Sequence, residues 1–344
     1  IFFRRTCTMP RGSSSILWFK EIFGFDEASF TETQRNFVVE AQAADLGHVY
    51  QGPAHILKSI VSSRDFYVGP FECASASELK RRLSAHPQGR ELGSLTFKNV
   101  TGCVQSLHRA PENIGAVFQV ASQFNCLEMV GPSVRPEDGV ARYASDPTQG
   151  PACAMVCPGA TVYRNYFVDG KGQGFGRQID TLQDVGRAVG NDKHHYWKMT
   201  NGYCLPQSQG SMAALSARLK QDAHLQQAVL DQLKVGVHWE TEVQLRPPNP
   251  GHRVCQVFCS ALPVAYAKST PSADWEAFAR CVLTAAYDAT LAAGALLACL
   301  RQQRVSVYLT GLGGGAFGNR QQWILDAIST ALANHSAAPI DVRL

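Results

Sequence analysis

The chain has 344 residues, 45% of them hydrophobic and 17% charged, with a formal net charge of +4. Those proportions suit a globular protein with a large core and exclude a disordered chain. The weakly basic balance suits an anionic small ligand. No dense Lys/Arg run and no aromatic–basic interleaving argue for nucleic acid, so none is expected as a partner.

In chain order, residues 1–15 read as a tail without structure. Arg4, Arg5, Arg11 and Ser13-Ser14-Ser15, with no acid before Glu21, resemble an organellar transit peptide. The plainer reading starts the protein at Met9 and keeps it cytoplasmic. Ile16 to Phe30 carries Trp18, Phe19, Phe23, Phe25 and Phe30 and is expected to pack on the main body. Residues 16–93 thus read as an N-terminal extension, with a short β-like run at Asp65 to Val68 and a helix over Ser75 to Ser84. In that helix Ser77 begins the run, and Glu78, Leu79 and Leu83 take helical positions.

Leu95 to Val100 and Ala116 to Ala121 read as strands. The second has no polar face and belongs in the middle of a sheet. Glu128 to Tyr166 reads as a long Gly/Pro-rich loop, within which Tyr163 to Phe167 is strand-like. Residues 211–234 read as one helix, Pro247 to Gly251 as a loop, Val254 to Cys259 as a strand and 273–302 as a long helix. The apolar run Ala289 to Leu300 lies inside that helix, is too short to span a bilayer and is flanked by Asp288 and Arg301; a buried helix is expected and no membrane partner. Eleven cysteines, an odd number without a compact framework, read as free thiols of a reducing compartment. Cys153/Cys157 and Cys255/Cys259 lack zinc-ligand spacing and supporting His, so no metal is expected.

The C-terminal region is the most informative. Val305 to Thr310 alternates like a strand, Gly311 to Asn319 holds five glycines in its first eight positions, and Arg320 to Leu332 has helical spacing at Trp323, Ile324, Ala327, Ile328 and Leu332. A strand, a glycine loop and a helix start together form an anion site, because glycines let backbone N–H groups close on an oxyanion. Asn319-Arg320 stands where a Walker-type loop has Lys-Ser or Lys-Thr, and the loop lies too near the C-terminus for a dinucleotide fingerprint. The alternative is a tight turn that binds nothing.

Gly313, Gly315, Phe317, Gly318 and Asn319 resemble the Gly-x-Gly-x-Phe-Gly-Asn loop in the last unit of the macrodomain superfamily, nearest to its microbial-type poly(ADP-ribose) glycohydrolase branch. Ala121-Ser122-Gln123-Phe124-Asn125 resembles that branch's Ala-Ser-x-x-Asn strand end, and Ser260-Ala261-Leu262-Pro263 its turn before the long helix. The likeness covers about 94–344. It implies a three-layer α/β/α sandwich with a mixed sheet, an ADP-ribose ligand, no metal and no cofactor. In that branch the Asn is followed by three glycines and then Gln-Glu-Glu, whose second Glu protonates the leaving oxygen. Here Cys126-Leu127-Glu128-Met129 follows Asn125, and Thr148-Gln149-Gly150-Pro151 keeps only the Gln.

The candidate catalytic residues are therefore Asn125, for a ribose, and Glu128, whose apolar neighbours Leu127, Met129 and Val130 would raise its pKa toward that of a general acid. The candidate ligand-binding residues are Gly313, Gly314, Gly315, Ala316, Phe317, Gly318, Asn319, Gln149 and Arg164. The diphosphate would sit on Gly313 to Phe317, and Arg164 would pair with phosphate. Each has a plainer role: a cap or ion pair for Glu128, a turn for Asn125, a loop-shaping amide for Gln149, a packed strand for Arg164. His194-His195 reads as surface. The function expected is binding of ADP-ribose, free or on a modified protein, or of a related nucleotide diphosphate, with hydrolysis of an ADP-ribosyl bond if an acid is in place. The alternatives are a non-catalytic reader or scaffold, and a hydrolase with Cys153 as nucleophile at a helix start.

Overall fold

A computed structural model of the chain describes residues 17–85, 90–245 and 251–344. The expected tail at 1–15 and most of the 247–251 loop lie outside the described residues. The chain opens with α1 (Leu17–Phe23) and α2 (Phe30–Arg35), then a three-stranded antiparallel meander, β1 (Phe37–Ala43), β2 (Pro53–Ser59) and β3 (Arg64–Gly69). Phe19, Phe23, Phe25 and Phe37 meet edge-to-face or tilted at ring distances of 4.7–6.4 Å and knit this unit. Phe66 of this unit shares one buried cluster with Tyr163 and Tyr166.

Then follow β4 (Phe71–Ser75), α3 (Ala76–Ser84), β5 (Thr96–Lys98), α4 (Val104–Arg109), β6 (Val117–Ala121), α5 (Gln149–Val156) and α6 (Pro158–Tyr166). After these come α7 (Gln183–Val189), α8 (Asn191–His194), the hairpin β7 (Trp197–Thr200) and β8 (Tyr203–Pro206), α9 (Ser211–Gln221), α10 (Ala223–Gln232) and β9 (Lys234–Val243). The chain closes with β10 (His252–Cys259), α11 (Ser272–Arg301), β11 (Val305–Tyr308), α12 (Gln321–Asn334) and β12 (Ile340–Arg343). One seven-stranded sheet, in the order β4-β9-β10-β6-β11-β12-β5, forms the middle layer. From β10 to β5 neighbours run parallel, and β9 pairs antiparallel with both β10 and β4.

The fold is the expected three-layer α/β/α sandwich with a mixed sheet. Alternation along the strands sorts the layers. Val117, Cys255, Val257 and Val307 face the helical layer built on α11, whereas Phe118, Val120, Val254 and Phe258 face α5 and α6. α11 lies close on β11: a Cβ on Gly294 would stand 2.5 Å from a methyl of Val307. By length and composition α11 could cross a membrane, but it is packed inside the protein.

The structure corrects several expectations. Residues 128–166 are not one long loop: they hold α5, α6 and short 3₁₀ turns, and Tyr163 to Tyr166 ends α6 rather than forming a strand. Nearly every residue of α5 and α6 is buried, so no polar face marks their period. The helix at 211–234 breaks at Asp222, whose carboxylate accepts the Leu225 N–H at 2.9 Å, and β9 starts at Lys234. The 75–84 helix is capped by Ser75, not Ser77. β4 and α3, within the 16–93 segment, belong to the central sheet and its helical layer.

Candidate functional site

β6, β10 and β11 lie side by side and parallel, so their carboxyl ends bring three loops together: 122–130, 260–271 and 309–320. Crevices at such strand ends are where open α/β sheets hold ligands. The glycine loop starts from fixed points. Tyr287 of α11 donates its hydroxyl to the Thr310 carbonyl at 2.7 Å and accepts the Leu312 N–H at 2.9 Å. Gln119, the polar residue within β6, accepts the Thr310 N–H at 3.2 Å while donating to Thr290 at 3.1 Å. Neither anchor is among the residues singled out from the sequence. The signals were there: a glutamine inside an apolar strand and a tyrosine in an alanine-rich helix.

Two glycines of the loop need their backbone freedom. Gly313 and Gly318 have φ of +73° and +70°. A Cβ on Gly313 would stand 2.4 Å from Ala261 Cβ. Gly314 and Gly315 lie outside the left-handed region; a Cβ on Gly315 would meet nothing within 4 Å, and one on Gly314 would press on Ile324 at 3.0 Å. Asn319 closes the loop, its side chain donating to Leu262 carbonyl at 2.8 Å and its backbone N–H to Gly313 carbonyl at 2.9 Å. It is buried and structural. Gly314, Gly315 and Ala316 form the exposed crest, with Gly311 exposed at the loop's start. The N–H groups of Gly315, Ala316 and Phe317 make no hydrogen bond among the described residues. Phe317 is half-buried beside Tyr203 and Tyr266, each at a ring distance of 5.5 Å, and Tyr203 donates to the Met129 carbonyl at 2.6 Å. This aromatic group ties the glycine loop to the 122–130 loop.

The ribose-side candidates are less free. Asn125 is fully buried; it donates to Gln178 at 2.9 Å and accepts the Leu127 N–H at 3.2 Å. Its carbonyl accepts from Gln173 at 3.0 Å, and Gln178 in turn donates to Asn201 at 2.9 Å. Gln149 accepts the Ala121 N–H and donates to the Gln119 carbonyl, both at 2.8 Å, so it docks α5 on the end of β6. The next residue, Gly150, packs so tightly that a Cβ there would stand 1.9 Å from the Ala121 carbonyl oxygen. An acid beside the Gln has no room.

Glu128 lies against this same turn, and burial raises its pKa to about 7 despite Arg164, whose guanidinium is 3.4 Å away. Arg164 is itself fully buried, donates to the Cys126 carbonyl at 2.9 Å and stacks on Phe258 at 3.7 Å. It serves as the partner of Glu128 rather than as an exposed phosphate ligand. Cys153 lies in α5 with no exposure, and burial pushes its thiol well above the ordinary range, the reverse of the activation a nucleophile needs. His194 and His195 are exposed, as expected.

Two cavities, of about 310 and 250 Å³, open elsewhere, among α3, α10, α11 and α12 around Lys80. The buried acid of the first, Asp288, already receives Lys80, Asn334 and His335. Among the described residues no group of three or more His, Cys, Asp or Glu could hold a metal.

No protein-family model and no curated protein matches the chain. Two crystal structures of poly(ADP-ribose) glycohydrolase from Deinococcus radiodurans in complex with ADP-ribose are similar to it over 80% of this chain and 86% of theirs. Identity is 11% and 12%, and the TM-scores are 0.39 and 0.37. A likeness this distant carries no argument about the site.

Proposed function

We propose that the chain binds ADP-ribose, or a related nucleotide diphosphate, on the crest of the 311–319 loop and does not hydrolyse it. One observation carries the reading: the consecutive N–H groups of Gly315, Ala316 and Phe317 are unpaired within the described residues, on a crest with open space above Gly315. Unpaired backbone amides in a glycine loop at a helix start are suited to phosphate oxygens. Phe317, with Tyr203 and Tyr266 beside it, offers an apolar wall for a ribose or base.

Against hydrolysis stands the geometry of the acids. Glycosidic cleavage needs a positioned acid that reaches the leaving oxygen. Glu128 has the pKa for that role but is engaged by Arg164 and has 1% of its side chain exposed. Gly150 and Pro151 stand after Gln149. A reader of ADP-ribosyl groups therefore fits better than a glycohydrolase. ADP-ribose should raise the melting temperature, and go on raising it with the logarithm of its concentration above the dissociation constant. Release of ADP-ribose from Ser-, Glu- or Arg-linked protein or from polymer should stay at the uncatalysed level; turnover would reject the reader and point back to Glu128.

A further inference from the structure

Cys126 and Cys73 come from distant parts of the chain and meet over a glycine. Cys73 sits on the edge strand β4, directly opposite Gly236 of β9. Gly236 has no side chain, and the Cys126 sulfur occupies the space: a Cβ there would stand 2.5 Å from it. Cys126 and Cys73 pack together in one apolar cluster with Val120, Cys153 and Phe258. Both are free thiols, Cys126 buried and Cys73 partly exposed. Cys126 also has φ of +59°, a conformation that non-glycine residues rarely adopt, and its carbonyl is held by Arg164.

We infer that Cys73 and Cys126 form a redox-sensitive pair whose disulfide would tie the 122–130 loop to the edge of the sheet. The accessible Cys73 thiol reacts first with a peroxide, giving a sulfenic acid and one water. Cys126, whose thiol is held above the ordinary range by its Cys73 neighbour and by burial, then attacks that sulfur through proximity rather than activation. The S–S bond forms, the S–O bond breaks, and the Cys126 proton leaves with the hydroxide as a second water. Each disulfide consumes one peroxide, and a dithiol reverses it. The cross-link stands independently of the proposed ligand; any effect on ligand affinity rests on that reading, through Met129 of the same loop, whose carbonyl holds Tyr203 beside Phe317.

The test uses the full chain, first reduced and then exposed to hydrogen peroxide, with peptide mapping of the product. A linked peptide containing Cys73 and Cys126, a loss of two hydrogens in intact mass and reversal by dithiothreitol are expected. Cys73→Ser should lose the linked peptide while melting like the reduced wild type. Cys73 recovered as a free thiol, as a sulfinic acid or bridged to another cysteine would overturn the inference. ADP-ribose binding is then compared in the two redox states. If neither state binds it, the ligand reading fails and the mapped disulfide still stands.

Discussion

Glu128 and Arg164 form an ion pair at 3.4 Å with 1% and 0% of their side chains exposed. Both side chains are buried, so the Glu128 carboxyl is closed to solvent and to any substrate. The Glu128 carboxyl is pushed by burial from 4.5 to about 7 in the folded state. The folded protein therefore holds this proton more tightly than the unfolded chain. The group's favourable contribution is present below pH 4.5 and is lost as pH rises through 7, by about 3 kcal/mol in total. Denaturant melts of wild type and Glu128→Gln across that window should show the wild type losing stability relative to the variant. Parallel pH profiles would mean that Glu128 is not buried as described.

Arg164→Met tests the other partner. It leaves a buried carboxylate uncompensated and should cost about 3–5 kcal/mol at pH 8, with a smaller loss at pH 5, where Glu128 is protonated. Stability unchanged at both pH values would show that Arg164 supports nothing in the core.

Tyr287 holds the start of the glycine loop with two hydrogen bonds. Tyr287→Phe keeps the ring and removes both bonds; the Leu312 N–H still reaches the Thr310 carbonyl at 2.7 Å, so a loss of about 0.5–1.5 kcal/mol per bond is expected. Thermal melts should show the destabilisation, and hydrogen exchange should speed up at Leu312. Exchange unchanged there would mean that the loop is anchored by other contacts.

Gly313 should be the glycine the loop can least spare. Gly313→Ala faces both a φ of +73° and the Ala261 Cβ, so a loss of at least about 1–3 kcal/mol is expected in chemical denaturation. A variant as stable as the wild type would show that the loop does not hold this conformation.

Much of the scaffold can be read from residue pattern alone. β6, β10, β11 and α11 have unmistakable periods, and the glycine loop announces itself between a strand and a helix. Gln149 and Asn125 show that sequence gives residue type and not commitment: the side chain of each is already hydrogen-bonded to protein. α5 and α6 stayed hidden because burial on all sides erases amphipathic spacing. β9 was masked by the helical run before it, although Val235, Val237 and Trp239 alternate onto one face. Arg164 misled for a related reason. A cation in an aromatic run suggests an exposed phosphate site, and only tertiary packing shows Glu128 and Phe258 already on it.

The most direct test of ligand binding on the loop crest is calorimetric titration of ADP-ribose into wild type and Gly315→Val. No atom lies within 4 Å of a Cβ at Gly315 and its φ is outside the left-handed region, so the variant should fold and melt as the wild type does. The branched side chain would cover the unpaired amides of Gly315, Ala316 and Phe317. Binding to wild type and its loss in an equally stable Gly315→Val is the predicted result. Equal affinity in the two proteins, or no heat from wild type at millimolar ADP-ribose, would contradict it.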